Sequence, residues 1–154
     1  MIILVWAQDI NGGIGINNTL PWNIKEEMQH FRSTTLNKTI VFGERTYMGI
    51  GRPLPNRENI VLTRNENLVI PGVKVYTDYK KLMEDYKDKD LYICGGSSIY
   101  ALFQPYADQY IISFIKKPYA VDTYVADMHL EDFELIKEDD SHEEFSIKWY
   151  SRKA

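Results

Sequence analysis

The sequence is poor in cysteine and histidine. Cys94 is its only cysteine, so no internal disulfide can form, and a reducing cytoplasm is the expected location. The three histidines, His30, His129 and His142, are too scattered for the ligand spacing of a zinc site. No apolar run reaches membrane-spanning length, and the first residues lack the basic segment of a signal peptide. We therefore expect neither a metal site nor membrane association.

The sequence also lacks an excess of positive charge. The formal net charge is −4 and lysine and arginine form no runs, which argues against nucleic acid and acidic membranes as partners. A chain of 154 residues that is 44% hydrophobic is long enough to bury a core. Because internal repeats, linkers and low-complexity segments are absent from the sequence, we predict a single domain over residues 1–154.

Short apolar segments alternate with helical patterns over residues 2–115. The predicted strands are Ile2–Ala7, Thr39–Phe42, Asn59–Thr63, Val73–Tyr76, Leu91–Cys94 and Gln109–Ile115. The predicted helices are a segment that begins after Asn23 and fades at Ser33–Thr35, then Glu44–Ile50, Tyr79–Tyr86 and Ser97–Phe103. This alternation predicts parallel βαβ units, in which ligands bind beyond the carboxyl ends of the strands. Apolar and polar residues then alternate in two predicted antiparallel strands, Phe133–Ile136 and Phe145–Tyr150.

Glu27 lies on the apolar face of the first predicted helix. The apolar residues of that face are Ile24, Met28 and Phe31. Asn23 is predicted to cap this helix, with Glu26 reaching back toward the cap. An acid on this face points at the core or into a cleft, whereas an acid in a first helical turn is also favoured by the helix dipole. The helix alone leaves these two interpretations of Glu27 about equally supported.

The segment Gln8–Asn23 is long for a structureless loop in a compact domain. Loops of this length are often lids over a binding site, although a tight pair of turns without function is the alternative. We favour a lid, because this loop leads directly to Glu27. Trp22, next to Pro21, is a candidate for a hydrophobic staple of the helix.

Two strand-to-helix junctions are candidate binding sites for phosphate. The first is Val41–Thr46, where Arg45 and Thr46 add donors to the backbone N–H groups. The second is Ile93–Tyr100, where two glycines allow a ligand to approach the backbone. Neither junction has the G-x-G-x-x-G or G-x-S-x-G pattern, and a glycine pair after a strand is by itself more often a tight turn.

Other candidate residues have plain structural alternatives. Arg52 and Arg57 flank a loop stiffened by prolines and are suited to gripping a carboxylate, but solvated surface arginines fit the composition better. Cys94 ends a buried strand and is interpreted as a small hydrophobic residue. Tyr100 is interpreted as packing unless the glycine pair carries a ligand.

Taken together, these motifs resemble the dihydrofolate reductase family of bacterial type over essentially the whole chain. The matching segments, in the family's order, are Gly13–Gly15, Leu20–Trp22, Phe31 with Thr35, Gly43 with Arg45–Thr46, Ile50–Pro55 with Arg57, Val61–Arg64, Gly95–Tyr100 and Asp122–Thr123. Any one motif is weak, whereas the full set is highly specific. The resemblance implies a mixed, mainly parallel eight-stranded sheet flanked by four helices. It also implies a monomer that uses NADPH to reduce 7,8-dihydrofolate to tetrahydrofolate and that binds antifolates.

The resemblance also implies roles for individual residues. Glu27 resembles the family's buried acid that grips the pteridine, and the catalytic set is Glu27, Trp22, Leu20 and Tyr100. The implied substrate-binding residues are Val5, Glu27, Met28, Phe31, Ile50, Arg52, Leu54, Arg57, Cys94 and Ser113. The implied cofactor-binding residues are Ala7, Ile14, Gly15, Asn18, Gly43, Arg45, Thr46, Leu62, Thr63, Arg64, Gly95, Gly96, Ser97, Ser98, Ile99, Tyr100 and Thr123. The Gly95–Gly96 peptide bond is expected to be cis.

Three positions depart from the family pattern, and two other functions compete with this one. Glu44 stands where many members carry a base beside the 2′-phosphate, while Gly49 and Cys94 replace a small polar and an aliphatic residue. One competitor is a pyrimidine reductase of the riboflavin pathway, which Glu27 and Arg57 argue against. The other is a non-catalytic nucleotide-binding module, which binds cofactor without turnover.

Overall fold

The computed structural model describes residues 1–17 and 19–154, and within them the chain forms one large sheet with helices on both faces. The strands are β1 Ile2–Gln8, β2 Gly13–Gly15, β3 Thr39–Gly43, β4 Glu58–Leu62, β5 Lys74–Tyr76, β6 Leu91–Ile93, β7 Gln109–Ile115, β8 Thr123–Tyr124, β9 Phe133–Asp139 and β10 Phe145–Arg152. The helices are α1 Lys25–Thr35, α2 Glu44–Ile50, α3 Tyr79–Asp85 and α4 Ser97–Phe103. Single 3₁₀ turns cover Gln104–Tyr106 and Leu130–Asp132.

The large sheet has eight strands in the order β5-β4-β3-β6-β1-β7-β10-β9. The five pairings from β5 to β7 are parallel, whereas β10 pairs antiparallel with both β7 and β9. The central strands are buried on both faces, as the apolar runs of parallel strands require. The predicted mixed, mainly parallel eight-stranded sheet with four helices is therefore confirmed.

Side chains that alternate along β1 divide the core into two layers. Leu4 and Trp6 face a layer that includes Phe103 of α4, while Ile3 and Val5 face the layer that receives the start of α1. Successive strand residues point to opposite faces, so a single apolar strand supplies both layers. This arrangement places α1 and α4 on opposite sides of β1, with the carboxyl end of β1 between them.

The predicted cap of the first helix is wrong. Ile24, not Asn23, occupies the N-cap position, and no side chain caps α1. Ile24 is buried, so core packing rather than a capping bond fixes the start of the helix. The carboxylate of Glu26 is instead 2.6 Å from Nδ1 of His142, in the turn between β9 and β10. The predicted apolar face is also incomplete, because Met28 is 55% exposed.

The segment that follows β1 is not structureless. Residues Gly13–Gly15 form β2, which pairs antiparallel with β8 in a separate two-stranded sheet. The sequence pattern missed both strands because they are only three and two residues long. No helix in the described part of the chain has the length and apolar character needed to cross a bilayer.

Candidate active site

The carboxyl ends of β1, β3, β6 and β7 meet on one edge of the sheet, next to the first turns of α1. Parallel strands that end together leave a crevice between the helices on the two faces, and ligands bind there in open α/β sheets. Glu27 on α1 and Ser113 on β7 are both buried at this edge, with exposures of 6% and 2%. The sequence-predicted acid therefore faces the interior of the protein.

Burial dominates the electrostatics of Glu27. It raises the pKa of the carboxyl group above its ordinary value, while a hydrogen bond from the Ser113 hydroxyl acts in the opposite direction. The acid has no ion-pair partner among residues 1–17 and 19–154. A buried carboxyl group without an ion-pair partner is suited to binding a cationic or hydrogen-bonding ligand. Such a ligand would favour the charged form of Glu27, which burial disfavours.

Several residues predicted to bind substrate share one buried apolar layer on the face of the sheet that receives the start of α1. Val5 and Cys94 are buried in the layer that also contains Trp22, and Phe31, Leu54 and Ala7 pack against that layer. Met28 and Ile50 are exposed, at 55% and 37%, so neither is part of the buried layer. Burial raises the pKa of the Cys94 thiol, which favours the neutral, apolar form of this side chain.

Trp22 is buried, but its indole N–H has no hydrogen-bond partner within the described residues. Its ring meets Tyr119 edge-on, with the ring centroids 5.5 Å apart. Buried indole N–H groups usually find a partner, so this N–H is available to a water molecule or a ligand. Leu20, two residues earlier, is 53% exposed and lies outside the core.

Arg57 is held in place by three acceptors. Its Nε donates to Thr35 Oγ1 at 2.9 Å, and its terminal nitrogens donate to the carbonyls of Pro55 and Arg32 at 3.1 and 3.5 Å. Burial, followed by the charge of Arg32, lowers the pKa of Arg57. The guanidinium group is thus oriented by neutral groups, and it has no acidic partner within the described chain.

Asn59 fixes the loop that carries Arg57. Its side chain accepts from Leu54 N–H at 2.9 Å and donates to the carbonyls of Leu54 and Arg57 at 2.9 and 3.0 Å. Sequence reasoning assigned Asn59 only to a strand. The sequence offered one signal for this role, an asparagine at the start of an apolar strand and next to a proline-rich loop. Arg52, in the same loop, is exposed and is not held in this way.

The second glycine junction lies against the first. The Gly43 N–H donates to the carbonyl of Gly95 at 2.8 Å, and the Gly95–Gly96 peptide bond is cis, as the resemblance implied. A Cβ atom at Gly43 would be 2.8 Å from Cγ1 of Ile99, and one at Gly96 would be 2.7 Å from Oγ1 of Thr46. The backbones of both junctions therefore approach each other as closely as glycine allows.

Tyr100 connects this junction to β1. Its hydroxyl donates to the Val5 carbonyl at 2.7 Å, and the side chain is buried. Burial raises the pKa of Tyr100 well above its ordinary value, and the neighbouring Cys94 and Glu27 add to that effect. The packing interpretation of Tyr100 therefore agrees with the structure, and its hydroxyl is already engaged by the backbone.

The predicted phosphate-binding residues follow the carboxyl ends of β3 and β4, and among them Thr63 is buried. Thr63 donates to the Glu44 carboxylate at 2.6 Å and accepts from the Asn65 N–H at 3.0 Å. Arg45 and Arg64 are exposed and form no ion pair within residues 1–17 and 19–154. Within the described residues, two arginines without an ion-pair partner are thus sequence neighbours of Glu44 and Thr63, which form this hydrogen bond.

The remaining predicted cofactor residues lie in several different elements. Ser97 and Ser98 begin α4, where the Ser97 hydroxyl donates to the Tyr124 carbonyl at 3.2 Å, and Leu62 is buried at the end of β4. Ile14 and Gly15 belong to β2, and Thr123 pairs with Gly15 across the small sheet. The prediction for Asn18 lies outside the described residues.

Three comparisons place this geometry among known proteins. A family model described as "Dihydrofolate reductase" matches residues 1–152. A protein named dihydrofolate reductase from Mycoplasma pneumoniae is 39% identical, with 100% of this chain and 99% of that protein covered. A protein from Mycoplasmoides gallisepticum named segregation and condensation protein A is 35% identical, over 99% of this chain but only 26% of its own length.

One solved structure is similar over the whole fold. It is a dihydrofolate reductase from Enterococcus faecalis in complex with NADP(H) and RAB-propyl, with a TM-score of 0.93 and 28% identity. The match covers 100% of this chain and 97% of that one. The two chains therefore share the same overall fold.

Proposed function

The chain belongs to the dihydrofolate reductase family, and on that premise we propose that it reduces 7,8-dihydrofolate to 5,6,7,8-tetrahydrofolate with NADPH. The product would serve one-carbon metabolism and thymidylate synthesis. The observation that carries the proposal is Glu27, a buried carboxyl group of α1 that the Ser113 hydroxyl supports and that has no ion-pair partner within the described residues. Such a group binds a polar heterocycle that its surroundings otherwise exclude.

Glu27 would anchor the pteridine ring by charge-assisted hydrogen bonds. In the free protein burial favours its protonated form, whereas a ring that gains positive charge favours the carboxylate. The acid would therefore stabilise a substrate protonated at N5. The proton itself would arrive through water, and the free indole N–H of Trp22 is a group able to hold that water. Val5, Phe31 and Leu54 would pack against the ring.

Arg57 would bind the carboxylate of the substrate's glutamyl tail. A guanidinium held by Thr35 and two carbonyls loses little conformational freedom on binding, and it pairs with a carboxylate through two parallel hydrogen bonds. No acid of the described chain forms an ion pair with Arg57. The guanidinium group would therefore bind the substrate carboxylate without losing an ion pair within the protein.

The residues at the two glycine junctions fit a dinucleotide. The close approach at Gly43, Gly95 and Gly96 leaves backbone rather than side chains at the surface of the crevice. When bound, NADPH supplies the hydride that reduces pteridine C6. Gly95–Tyr100 would hold the nicotinamide ribose and pyrophosphate, Arg45, Thr46, Thr63 and Arg64 the adenosine end, and Ala7, Ile14 and the loop at Leu20 would exclude water from the ring.

One assay tests the proposal against its competitors. Loss of NADPH absorbance should depend on added dihydrofolate. Oxidation with a pyrimidine substrate of the riboflavin pathway, but not with dihydrofolate, would favour the related reductase. Cofactor binding without oxidation would favour a binding module. We further propose that the enzyme is a cytoplasmic monomer inhibited by antifolates, which gel filtration and inhibition of the same assay would test.

A further inference from the structure

β9 is the longer of the two strands that form the edges of the large sheet. It spans Phe133–Asp139, whereas β5 at the other edge has only the three residues Lys74–Tyr76. Within residues 1–17 and 19–154, β9 pairs only with β10. The backbone N–H and C=O groups on its outer side therefore bond to no strand, and such a row of groups is a template for an added strand.

Neither face of β9 is covered along the middle of the strand. Residues 134–138 are all exposed, and successive residues of a strand point to opposite faces of the sheet. Leu135 and Ile136 are 50% and 52% exposed. The register with β10 shifts here, so Ile136 is the extra residue of a β-bulge and has no opposite residue. Two apolar side chains are thus available to a chain that approaches this edge.

β9 lacks two of the devices that usually protect an edge strand from pairing, which are proline and an outward-facing lysine. The strand contains no proline. Its single lysine, Lys137, has its Nζ atom 4.5 Å from the centroid of the Trp149 ring, so this side chain lies over the neighbouring strand β10. The bulge and the acidic side chains of the strand are the devices that remain.

Negative charge is concentrated around β9. Residues 127–144 contain nine of the 22 acidic residues of the chain but only one of its 18 lysines and arginines. Asp140 pairs with Lys116 at 2.9 Å and Glu138 pairs with Lys148 at 3.8 Å, whereas Glu134 has no ion-pair partner within the described chain. We refer to residues 127–144, with β9 at their centre, as the acidic edge.

The charge of the acidic edge argues against a second copy of this chain as its occupant. If two copies paired about a two-fold axis through Ile136, Glu134 of one copy would lie opposite Glu138 of the other. Like charges directly opposite each other destabilise a strand pair. A chain rich in lysine and arginine would instead be attracted to the same surface.

We propose that the acidic edge is a docking surface for an extended, basic segment of a partner protein, which adds to the large sheet as a strand beside β9. The unpaired backbone groups supply the hydrogen bonds, Leu135 and Ile136 supply apolar contacts, and the surrounding acids select a basic partner. This inference is independent of the proposed reduction, because β10 lies between β9 and the strands whose ends form the crevice.

A synthetic peptide tests the role of the backbone. The probe is Lys-Val-Lys-Val-Lys-Val-Lys with blocked ends, and its control is the same peptide with a methyl group on every internal backbone nitrogen. The two peptides share their charge and side chains, but the control donates no backbone hydrogen bond. We expect the probe to bind the isotope-labelled protein at least about tenfold more tightly than the control does. Amide groups of residues 134–138 should exchange more slowly when the probe is bound.

Charge reversal tests the location of the docking surface. In the double variant Glu134→Lys and Glu138→Lys, binding of the probe should weaken at least about tenfold, because attraction becomes repulsion. The matched control is Glu84→Lys with Asp88→Lys, which makes the same change of net charge at exposed positions far from β9 in the sheet order. This control should bind the probe nearly as the wild type does. Ile136→Lys should weaken binding as well.

Two results would show that no strand docks at β9. Equal binding of the probe and the methylated peptide would mean that the acidic edge attracts basic chains by charge alone. Equal binding by the two double variants would place the peptide elsewhere on the protein. The unfolding temperature of each variant shows whether it is folded, and the comparison of the two peptides needs no variant at all.

The oligomeric state provides a further test. A wild-type dimer in sedimentation equilibrium, with slowly exchanging amide groups in β9, would make a second copy the occupant and overturn the proposal. We expect the wild type to sediment as a monomer without the probe, with amide groups of residues 134–138 that exchange rapidly. Because none of these measurements uses NADPH or dihydrofolate, their outcome does not depend on whether the proposed reaction occurs.

Discussion

At the scale of single residues, Glu27 is the group whose chemistry is easiest to test. Its pKa is raised by burial, so removing the charge should matter most near neutral pH, where solvent cannot protonate the substrate. In Glu27→Gln, hydride transfer at neutral pH should fall about 10²–10⁴-fold, the usual contribution of a positioned acid or base. The measurement is the hydride-transfer rate against pH for both proteins.

The pH profiles should also differ in shape. The wild-type rate should fall as pH rises through the operative pKa, and acid should rescue part of the loss in Glu27→Gln. A variant with the wild-type rate at neutral pH, or with a uniformly low rate at every pH, would return Glu27 to the role of a first-turn acid favoured by the helix dipole.

The role of Arg57 can be tested by comparing two ligands, one with the glutamyl tail and one without it as the control. Arg57→Ala should weaken binding of folates that carry glutamate by about 1.5–3 kcal/mol, the range for hydrogen bonds between charged groups, and should hardly affect a pterin without that tail. Thr35→Val removes the hydroxyl that receives the Arg57 Nε–H and should have a smaller effect in the same direction. Equal weakening of both ligands would mean that Arg57 is structural.

Glu44 and Arg64 should set the choice of cofactor. Arg64→Ala should raise the Michaelis constant for NADPH and leave that for NADH nearly unchanged, because only NADPH carries a 2′-phosphate. The Glu44 carboxylate lies against Thr63, so it should narrow the preference for NADPH, and Glu44→Gln should widen it. Dissociation constants for 2′,5′-ADP and 5′-AMP give the same comparison without turnover. Equal losses for both nucleotides in Arg64→Ala would contradict this role.

At the scale of elements, the two glycine junctions should respond to a single methyl group. In Gly43→Ala the new Cβ atom would meet Ile99 at the start of α4, and overpacking of this kind typically costs about 1–3 kcal/mol. We expect a lower unfolding temperature and weaker NADPH binding, both partly restored by adding Ile99→Ala. Unchanged stability and binding in Gly43→Ala would show that the junction tolerates a side chain.

Elements with strong local patterns were predictable from the sequence. The bounds of α2, α4 and β7 agree with the prediction to the residue, because Gly43, the glycine pair and Pro105 mark clear boundaries. The start of α1 was not predictable from capping rules, since burial of Ile24 and the bond between Glu26 and His142 are tertiary contacts. The strands β2 and β8 exist only as partners of each other.

In the candidate site too, features with a local sequence pattern were predictable, whereas features that depend on tertiary contacts were not. Helical spacing alone left the orientation of Glu27 open, and the other motifs of the chain favoured the interior. The loop of Arg57 followed from its prolines. Asp9, Asn59 and the supporting hydroxyl of Thr35 were missed, because each acts on backbone groups or side chains that are distant in sequence. Such polar contacts leave no periodic pattern, whereas apolar faces do.

At the scale of the whole molecule, charge is distributed unevenly. The chain has a net charge of −4, yet four of its arginines lack acidic partners within residues 1–17 and 19–154. Arg45 and Arg64 follow the carboxyl ends of β3 and β4, whereas Arg52 and Arg57 lie in the loop before β4. Every ion pair of the described chain instead uses a lysine, a histidine or the amino terminus. An acidic protein can therefore still attract anionic ligands at these arginines, an effect that salt should weaken.

Burial of Glu27 should lower the free energy of unfolding of the protein at neutral pH. The pKa of Glu27 is raised in the folded state, so the folded protein binds its proton more tightly than the unfolded chain does. The stability contributed by that proton is fully present below the unfolded pKa and is lost as pH rises through the folded pKa. Groups with lowered pKa values, such as Asp9, contribute in the opposite sense. The contribution of Glu27 to the pH dependence of stability is therefore isolated only by comparing the wild type with a variant that lacks this acid.

We expect Glu27→Gln to be more stable than the wild type at neutral pH by about 1–3 kcal/mol, the usual cost of a poorly satisfied buried polar group. The difference should shrink as pH falls, because the wild-type acid then becomes neutral as well, whereas glutamine does not titrate. The measurement is the free energy of unfolding in urea at a series of pH values for both proteins. If the unfolding free energies of the two proteins differ by the same amount at every pH, burial does not disfavour the charged form of Glu27 in the free protein. A bound ligand would then not be needed to stabilise that charge.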